Sequence, residues 1–271
     1  MSENITPLII NACTGRMGKE LLKAAISDPG TDVAAAIARE THPLLGTDIG
    51  YLIGANPQGV FVGSDLTSSL NGRRVLIDFS LPDHSIASLR NALVNLTPMV
   101  IGTTGFNEAQ QIEIEQAAQY IPIVYAANYS VGVNSLISLV KQATKLLGQE
   151  SDIEIFEAHH KYKKDAPSGT ALALGHAAAE VLAKPLSDIA VENRQGERRQ
   201  GDIGFSVMRA GDIVGTHEVV FALNGEMVTL RHEAQSRQCF AQGAIEAAKW
   251  LSVKKAGLYN MQDVLGISNN S

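Results

Sequence analysis

The chain has 271 residues, 45% of them hydrophobic, so it is long enough to bury one large core or two smaller ones. Its formal net charge of −6 argues against nucleic acid as the main partner, because phosphate-binding surfaces are usually basic, and makes small molecules the expected ligands. No apolar run approaches the roughly 20 residues of a membrane span and no basic leader precedes one, so a cytoplasmic protein without membrane contact is expected.

Short apolar runs alternate with helical patterns in the first half of the chain. Near-continuous apolar strands separated by amphipathic helices indicate a parallel sheet covered on both faces. The predicted strands are 7–12, 32–38, 73–80, 98–105 and 121–130, and the predicted helices are 17–27, 84–95 and 107–119. The fold class is therefore α/β, with a Rossmann-type doubly wound sheet.

The pattern changes after about residue 130. The predicted order is now a helix at 133–148, a strand at 152–160, a helix at 169–183 and a polar, glycine-rich loop at 194–204. Asn224-Gly225 then separates two alternating runs, which predicts a type I′ hairpin. This section is expected to form a second, α+β domain with antiparallel strands. A final helix at 240–253 is compatible with either domain.

The glycine-containing segment ACTGRMG, residues 12–18, stands between the first predicted strand and the first helix. Its spacing is GxxGxxG with Ala12 in place of the first glycine. Gly15 allows close approach of the backbone to a pyrophosphate at the helix start, and Gly18 allows close packing of the helix on the strand. Arg16 adds a phosphate partner. An ordinary tight turn is the alternative, but placement inside a βαβ unit favours dinucleotide binding.

Two further polar segments follow predicted strands of the same sheet. IGTTG (101–105) and AANYS (126–130) end at the same edge as the glycine turn. Ligands of open α/β sheets bind outside the carboxyl ends of the strands, so this edge is the expected cofactor site.

The segment EAHHKYKKDAPSGTALALG, residues 157–175, carries two histidines and three lysines just before a predicted helix. Ser168 is the N-cap candidate, which makes the N–H groups around Gly169 and Thr170 an anion site. Cations and a helix start at one place indicate a multiply anionic substrate, with a solvated basic loop as the alternative. The histidine pair lacks cysteine or carboxylate partners at ligand spacing, so no metal is expected.

Five segments together resemble the dihydrodipicolinate reductase family, also called 4-hydroxy-tetrahydrodipicolinate reductases. They are TGRMG, IGTTG, ANYSVGVN, EAHHKYKKDAPSGTAL and RAGDIVGTHEVVF, and the resemblance runs from about residue 8 to about residue 267. The HHxxKxDAPSGTA pattern is close to diagnostic, whereas many dehydrogenases share the glycine turn. The resemblance implies NAD(P)H-dependent reduction of a cyclic dicarboxylate to tetrahydrodipicolinate, in the diaminopimelate route to lysine, by a homotetramer.

The resemblance also implies roles for individual residues. His159 is the expected proton donor, Lys163 its assisting cation, and His160, Gly169 and Thr170 the substrate-binding positions. The expected cofactor-lining residues are Ala12, Cys13, Thr14, Gly15, Arg16, Met17, Gly102, Thr103, Thr104, Ala126, Ala127, Asn128 and Tyr129.

The change of pattern near residue 130 predicts two domains. Residues 1–130 with 240–271 form the expected dinucleotide-binding domain, and 131–239 the substrate-binding and tetramerisation domain. The return of the final helix to the first domain is an implication of the resemblance. Two chain crossings between the domains are expected to act as hinges.

Cofactor preference is predicted from the end of the second strand. An acid about 20 residues beyond the glycine turn favours NADH, but position 38, which is 38 − 18 = 20 residues beyond Gly18, is Ala38. Arg39 follows it and offers a guanidinium suited to the 2′-phosphate of NADPH. Glu40 is the alternative, as a replacement for the missing acid. We expect NADPH to be preferred and NADH to be usable.

Two alternative functions share part of this pattern. Another Rossmann-fold NAD(P)-dependent amino-acid dehydrogenase would carry the glycine turn but has no need of the HHxxKxDAPSGTA segment. A non-catalytic nucleotide sensor would bind the cofactor without a proton donor beside an anion site.

Overall fold

The chain divides into two compact units in a computed structural model that describes residues 5–267. One unit is the chain up to Val131 together with the segment from Arg237 onward, and the other is Gly132–Ser236. The chain therefore crosses between units at 131/132 and 236/237, close to the predicted 130/131 and 239/240. The substrate-binding and tetramerisation roles of the second unit stay predictions.

The secondary structure alternates through the first unit and becomes mixed in the second. The strands are β1 (Thr6–Asn11), β2 (Thr31–Ile37), β3 (Val62–Gly63), β4 (Val75–Asp78), β5 (Met99–Ile101), β6 (Pro122–Tyr125), β7 (Asp152–His159), β8 (Ala190–Glu192), β9 (Ile203–Arg209), β10 (Gly215–Ala222), β11 (Met227–Ala234) and β12 (Gly257–Tyr259). The helices are α1 (Arg16–Ser27), α2 (Ile49–Ile53), α3 (Pro82–Val94), α4 (Glu108–Ala117), α5 (Val131–Leu147), α6 (Gly169–Val181), α7 (Leu186–Ile189), α8 (Gln238–Leu251) and α9 (Met261–Val264). No helix over residues 5–267 combines the length and the apolar character needed to cross a membrane.

The first unit is built on a seven-stranded sheet in the order β12-β6-β5-β4-β1-β2-β3, and all of its pairings are parallel. Leu8, Ile9 and Ile10 of β1, an interior strand of this sheet, are fully buried, as expected for a strand covered on both faces. The strand order reverses beside β1, which is where such sheets open a ligand crevice. The predicted Rossmann-type doubly wound sheet is confirmed.

The final helix belongs to the first unit. Ala244, Ile245 and Leu251 of α8 lie in the same buried cluster as Leu8 of β1 and Leu21 of α1. Burial of this apolar helix face against the sheet is the main favourable contribution to its packing. The chain therefore returns to the first unit after Ser236.

The second unit is a five-stranded sheet in the order β11-β10-β7-β9-β8 with helices packed against it. Val140 of α5 and Leu174 of α6 share a buried cluster with Ile155 and Phe221 of the sheet. The α+β prediction is confirmed, but the expectation of antiparallel strands is incomplete, because β7 and β8 pair with β9 in parallel.

Strand β9 begins inside segment 194–204, which was predicted to be a loop because it is rich in glycine and polar residues. A Cβ atom on Gly204 would lie 1.9 Å from Oε2 of Glu154 on the neighbouring strand, so this glycine makes room for a cross-strand side chain. The connection at Asn224-Gly225 is a hairpin, as predicted, between paired β10 and β11. It is not of type I′, because only Gly225 of the two residues has a positive φ, +93°.

Candidate active site

The glycine turn joins the carboxyl end of β1 to the start of α1. Ala12 has a φ of +52°, in the left-handed region that favours glycine, at the position where the pattern lacks its first glycine. Gly15 is the N-cap of α1, and no acidic residue lies in the first turn of this helix. The backbone N–H groups at this helix start are suited to hold an anion.

A cavity of about 620 Å³ opens beside the glycine turn. Its wall includes Ala12, Thr14 and Gly15 from the turn and Arg39 from the end of β2. Glu40, the alternative partner for the cofactor ribose, is exposed and does not line the cavity. A cavity of this size suits a dinucleotide, because the helix start beside it begins with Arg16 and has no acidic residue in its first turn, and the Arg39 guanidinium lies in its wall.

A buried carboxyl group that the sequence reasoning missed supports the wall of this cavity. Asp78, at the end of β4, is fully buried and accepts hydrogen bonds from Asn11 Nδ2 at 2.6 Å and Thr103 Oγ1 at 3.1 Å. The N–H and the hydroxyl of Ser80 donate to the same carboxyl group. Asp78 thus ties together the ends of three parallel strands. The sequence signal that could have identified Asp78 is an acidic residue at the end of an otherwise apolar strand, VLID at residues 75–78.

Three of the expected cofactor residues have buried side chains that serve the fold. Burial raises the pKa of the Cys13 thiol to about 12, and this side chain packs in the core. The Tyr129 hydroxyl donates to the carbonyl oxygens of Ile101 at 2.8 Å and Val124 at 3.0 Å. The Thr103 hydroxyl donates its hydrogen bond to Asp78. A cofactor role of these positions would have to use their backbone.

The other expected cofactor residues lie at the start of α1 and in the two loops that follow β5 and β6. Gly102 is required by packing, because a Cβ atom there would lie 2.2 Å from the Phe79 ring, which itself lines the cavity. Exposed residues of the set are Arg16, Thr104 and Ala127, and partly buried ones are Met17, Ala126 and Asn128. Their contact with a cofactor stays a prediction.

The second unit contains the histidine and lysine residues of the basic segment. His159 ends β7, and Lys163 lies in the following turn, where its N–H donates to the carbonyl oxygen of His160. The Lys163 ammonium pairs with Asp165 at 2.8 Å, so part of the local positive charge is balanced within the segment. Nδ1 of His160 is shielded from solvent and has no hydrogen-bond partner among residues 5–267.

The helix start beside these cations has the predicted cap. Ser168 is the N-cap of α6, and its Oγ accepts a hydrogen bond from the N–H of Ala171 at 3.2 Å. No acidic residue lies in the first turn, and a Cβ atom built on Gly169 would meet no atom within 4 Å. The helix start therefore has open space in front of it and a favourable dipole for an anion.

Glu157, two residues before His159, is the second buried acid that the sequence reasoning missed. It is 1% exposed, and its Oε2 lies 2.6 Å from Nδ1 of His159. Arg209 donates to both carboxylate oxygens, and the N–H of Ser168 donates to Oε1 at 2.9 Å. Burial opposes ionisation of Glu157, but the hydrogen bonds from Arg209, His159 and Ser168 outweigh it and lower the pKa of this carboxyl.

A second, buried histidine, His217, lies next to His159. The rings of His159 and His217 are 5.1 Å apart, edge to face, and Nε2 of His217 lies 3.3 Å from Oγ of Ser168. Burial, reinforced by the neighbouring His159, lowers the pKa of His217 to about 3. His217 is therefore neutral near pH 7 and adds no charge beside His159.

A doubly wound sheet with a cavity beside its glycine turn, and a second unit with a histidine near a capped helix start, are typical of a nicotinamide-dependent oxidoreductase. Two family models match the chain: the N-terminal part of dihydrodipicolinate reductase over residues 6–129 and its C-terminal part over 132–265. The chain belongs to the dihydrodipicolinate reductase family. It is an NAD(P)H-dependent oxidoreductase of the diaminopimelate route to lysine, and the two alternative functions are not supported.

Solved structures with the same fold are distant in sequence. Dipicolinate-bound dihydrodipicolinate reductase from Paenisporosarcina sp. TG-14 has 23% identity and a TM-score of 0.74, covering 96% of this chain and 98% of that chain. Amine dehydrogenase from Mycobacterium smegmatis has 11% identity and a TM-score of 0.60, covering 96% of each chain. A myo-inositol dehydrogenase from Corynebacterium glutamicum has 11% identity and a TM-score of 0.59, covering 97% of this chain and 93% of that chain.

Proposed function

We propose that His159 is the proton donor of this reductase and Lys163 its assisting cation, with a cyclic dicarboxylate held at the start of α6. The observation that carries the proposal is the position of His159 at the end of β7, hydrogen-bonded to Glu157, in the same unit as the capped helix start at Ser168. A histidine titrates near neutrality and is suited to deliver a proton to a ring carbon.

Substrate binding in this proposal uses backbone and side chain together. The N–H groups at Gly169 and Thr170 receive one carboxylate, and His160 adds a side-chain contact. The open space at Gly169 and the unpartnered Nδ1 of His160 support this assignment. Dipicolinate, the molecule bound in the Paenisporosarcina relative, is a dicarboxylate of the expected class.

Cofactor binding in the proposal belongs to the first unit. The glycine turn from Ala12 to Met17 and the loops after β5 and β6 hold the dinucleotide, and Arg39 contacts the 2′-phosphate. When bound, the nicotinamide supplies a hydride. We propose that NADPH is preferred and NADH remains usable, since Arg39 lines the cavity and Ala38 offers no acid to a ribose.

The homotetramer and the cytoplasmic location are also proposals. Strands β9 and β11 carry apolar side chains that are more than a third exposed, at Val207, Met208, Met227 and Val228, and such residues favour burial between copies. Sedimentation equilibrium at micromolar concentration tests the assembly, and a monomer there would contradict it. Fractionation of the source cells tests the location.

The catalytic assignment is tested with purified protein, NADPH and freshly prepared substrate, by the loss of reduced-nicotinamide absorbance. His159→Gln is expected to lower kcat by about 10²–10⁴-fold, the usual contribution of general acid catalysis, and to leave NADPH binding unchanged. Lys163→Ala is expected to lower kcat and raise KM. His176→Gln, at an exposed position of α6, is the matched control and should retain full turnover.

Near-wild-type turnover in both His159→Gln and Lys163→Ala would contradict the assignment. Thr170 provides a second test of the helix start. Thr170→Ala keeps the backbone N–H and should raise KM less than Thr170→Pro, which removes that group.

A further inference from the structure

Four hydrogen-bond donors converge on the buried carboxylate of Glu157. They are Nδ1 of His159 at 2.6 Å, the backbone N–H of Ser168 at 2.9 Å, and the two terminal nitrogens of Arg209 at 2.7 and 2.8 Å. A buried carboxylate without partners is strongly disfavoured, so this set of donors keeps Glu157 ionised inside the unit. A buried carboxylate that receives four hydrogen bonds holds its partners in one arrangement.

We propose that Glu157, held by Arg209, is the positioning residue that fixes the hydrogen of His159 on Nδ1, so that the transferable proton is carried by Nε2. The inference deepens the proposed function and depends on His159 as the proton donor. An ionised carboxylate only accepts hydrogen bonds, so the nitrogen 2.6 Å from it carries a hydrogen in both the neutral and the charged ring. The proton that leaves the imidazolium is therefore the one on Nε2.

Gly215 of the neighbouring strand keeps this nitrogen accessible. A Cβ atom built on Gly215 would lie 3.2 Å from Nε2 of His159, so a side chain at this position would press on the reactive edge of the ring. Gly215 belongs to the segment RAGDIVGTHEVVF, and Arg209 begins the same segment. Arg209 and Gly215 of this segment thus both affect the imidazole of His159, Arg209 through Glu157 and Gly215 directly.

The charges around His159 oppose one another. The groups that face the ring are Glu157, Lys163, Arg209 and the neutral His217. Burial lowers the pKa of His159, the hydrogen bond and charge of Glu157 raise it, and the charges of Lys163 and Arg209 lower it again, with a net lowering. Glu157 is therefore the group that raises the pKa of His159 toward neutral pH and so stabilises the charged, proton-donating form of the ring.

Arg209 ties this carboxylate to the rest of the basic segment. Besides its two bonds to Glu157, it donates to the carbonyl oxygen of Asp165, whose side chain pairs with Lys163. The carboxylate also holds the N–H of Ser168, the cap of α6. One buried ion pair consequently sets the positions of the proposed proton donor, the assisting lysine and the helix start.

The central variant is Glu157→Gln, examined by NMR of ¹⁵N-histidine-labelled protein. The amide has one acceptor oxygen for four donors, and its NH₂ group is expected to donate to Nδ1. The neutral ring of His159 should change from the Nδ1–H to the Nε2–H tautomer. Its pKa should fall by about 1 to 3 pH units, the usual effect of losing a close opposite charge.

Activity measurements give a second readout of the same variant. The decrease of kcat/KM at high pH, where the donor loses its proton, should move to lower pH, and kcat should fall by up to the about 10²–10⁴-fold of a lost general acid. Glu154→Gln is the matched control, the same change on the same strand at a residue that pairs with Arg194 and Arg198 instead. It should leave the tautomer and the pKa of His159 unchanged.

Two further variants keep the test decisive if Glu157→Gln does not fold. Glu157→Asp retains the charge one methylene farther away and should restore most of the pKa while kcat stays below wild type. Arg209→Met leaves the imidazolium as the nearest partner of Glu157, so the pKa of His159 should rise. An unchanged tautomer and pKa in folded Glu157→Gln, or an Arg209→Met pKa that does not rise, would overturn the inference.

Different experimental outcomes contradict the proposed function and this inference. Full turnover of His159→Gln removes His159 as the donor, whatever the NMR shows. An inactive His159→Gln together with a Glu157→Gln protein of unchanged His159 tautomer and pKa keeps the donor and overturns only the positioning role.

Discussion

The carbonyl oxygen of Ala12 lies 2.3 Å from the position that a Cβ atom on Gly18 would occupy. The backbone of Cys13 is nearly as close, at 2.6 Å, so the first turn of α1 packs directly on the end of β1. No flexible side chain is involved, and nothing there can move aside alone. The last glycine of the turn is therefore required by packing between backbone segments, independently of any cofactor.

We expect Gly18→Ala to lower the free energy of unfolding by about 1–3 kcal/mol, the usual range for overpacking a tight site. It should also weaken NADPH binding at least tenfold, because α1 must move away from the phosphate-binding turn. Urea unfolding and fluorescence titration with NADPH measure the two effects. Gly63→Ala is the control, since a Cβ there meets nothing within 4 Å. Equal stability of the two variants would contradict this packing argument.

Ala12→Gly is expected to preserve or slightly increase stability, by about 0–1 kcal/mol. The substitution removes the cost of an alanine at a φ of +52°, about 1–2 kcal/mol, against the larger entropy of glycine in the unfolded chain. The same change at Ala24, inside α1, should destabilise by about 0.5–1 kcal/mol or more. Chemical denaturation of the two variants makes the comparison, and a loss of stability in Ala12→Gly as large as in Ala24→Gly would show that Ala12 is unstrained.

Arg39→Ala is expected to reduce kcat/KM with NADPH by about 10- to 100-fold, which corresponds to charge-assisted hydrogen bonds to a phosphate. Activity with NADH should change little, because that cofactor lacks the 2′-phosphate. Arg73→Ala, an exposed change before the amino end of β4, is the control. A wild type that favours NADH, or an Arg39→Ala protein with the wild-type preference, would show that the strand end does not select the cofactor.

His217 should make stability depend on pH. Its pKa is about 3 in the folded protein against an ordinary value of 6.5, so protonation favours the unfolded chain. Its contribution is complete above about pH 6.5 and is lost as the pH falls toward 3, by up to about 1.4 kcal/mol per pH unit. His217→Gln should therefore lose less stability than wild type between pH 7.5 and pH 5 in urea unfolding. Identical losses would refute the assignment, and the exposed His176→Gln should behave as wild type.

Local signals in the sequence were sufficient for most of the longer elements, with the seven-residue β9 as an exception, and for the helix cap at Ser168. The alternation of apolar strands and amphipathic helices predicts a parallel doubly wound sheet, because only a strand buried on both faces is apolar at every position. Ser168 was identified as a helix cap and Asn224-Gly225 as a hairpin turn, since each depends on a few consecutive residues. Elements of two to five residues, such as β3, α2 and β12, were missed because they are too short to show a period.

Patterns of consecutive residues, namely the glycine turn, the basic segment and the helix start that follows it, are enough to assign the class of this protein. The distant residues that complete the site are brought together by the fold. Asn11 reaches Asp78 and Arg209 reaches Glu157 because their strands are neighbours in a sheet, although 67 and 52 residues separate them. Strand order, and with it the parallel pairing of β7 with β9, depends on the packing of the whole unit, so no local pattern contains it.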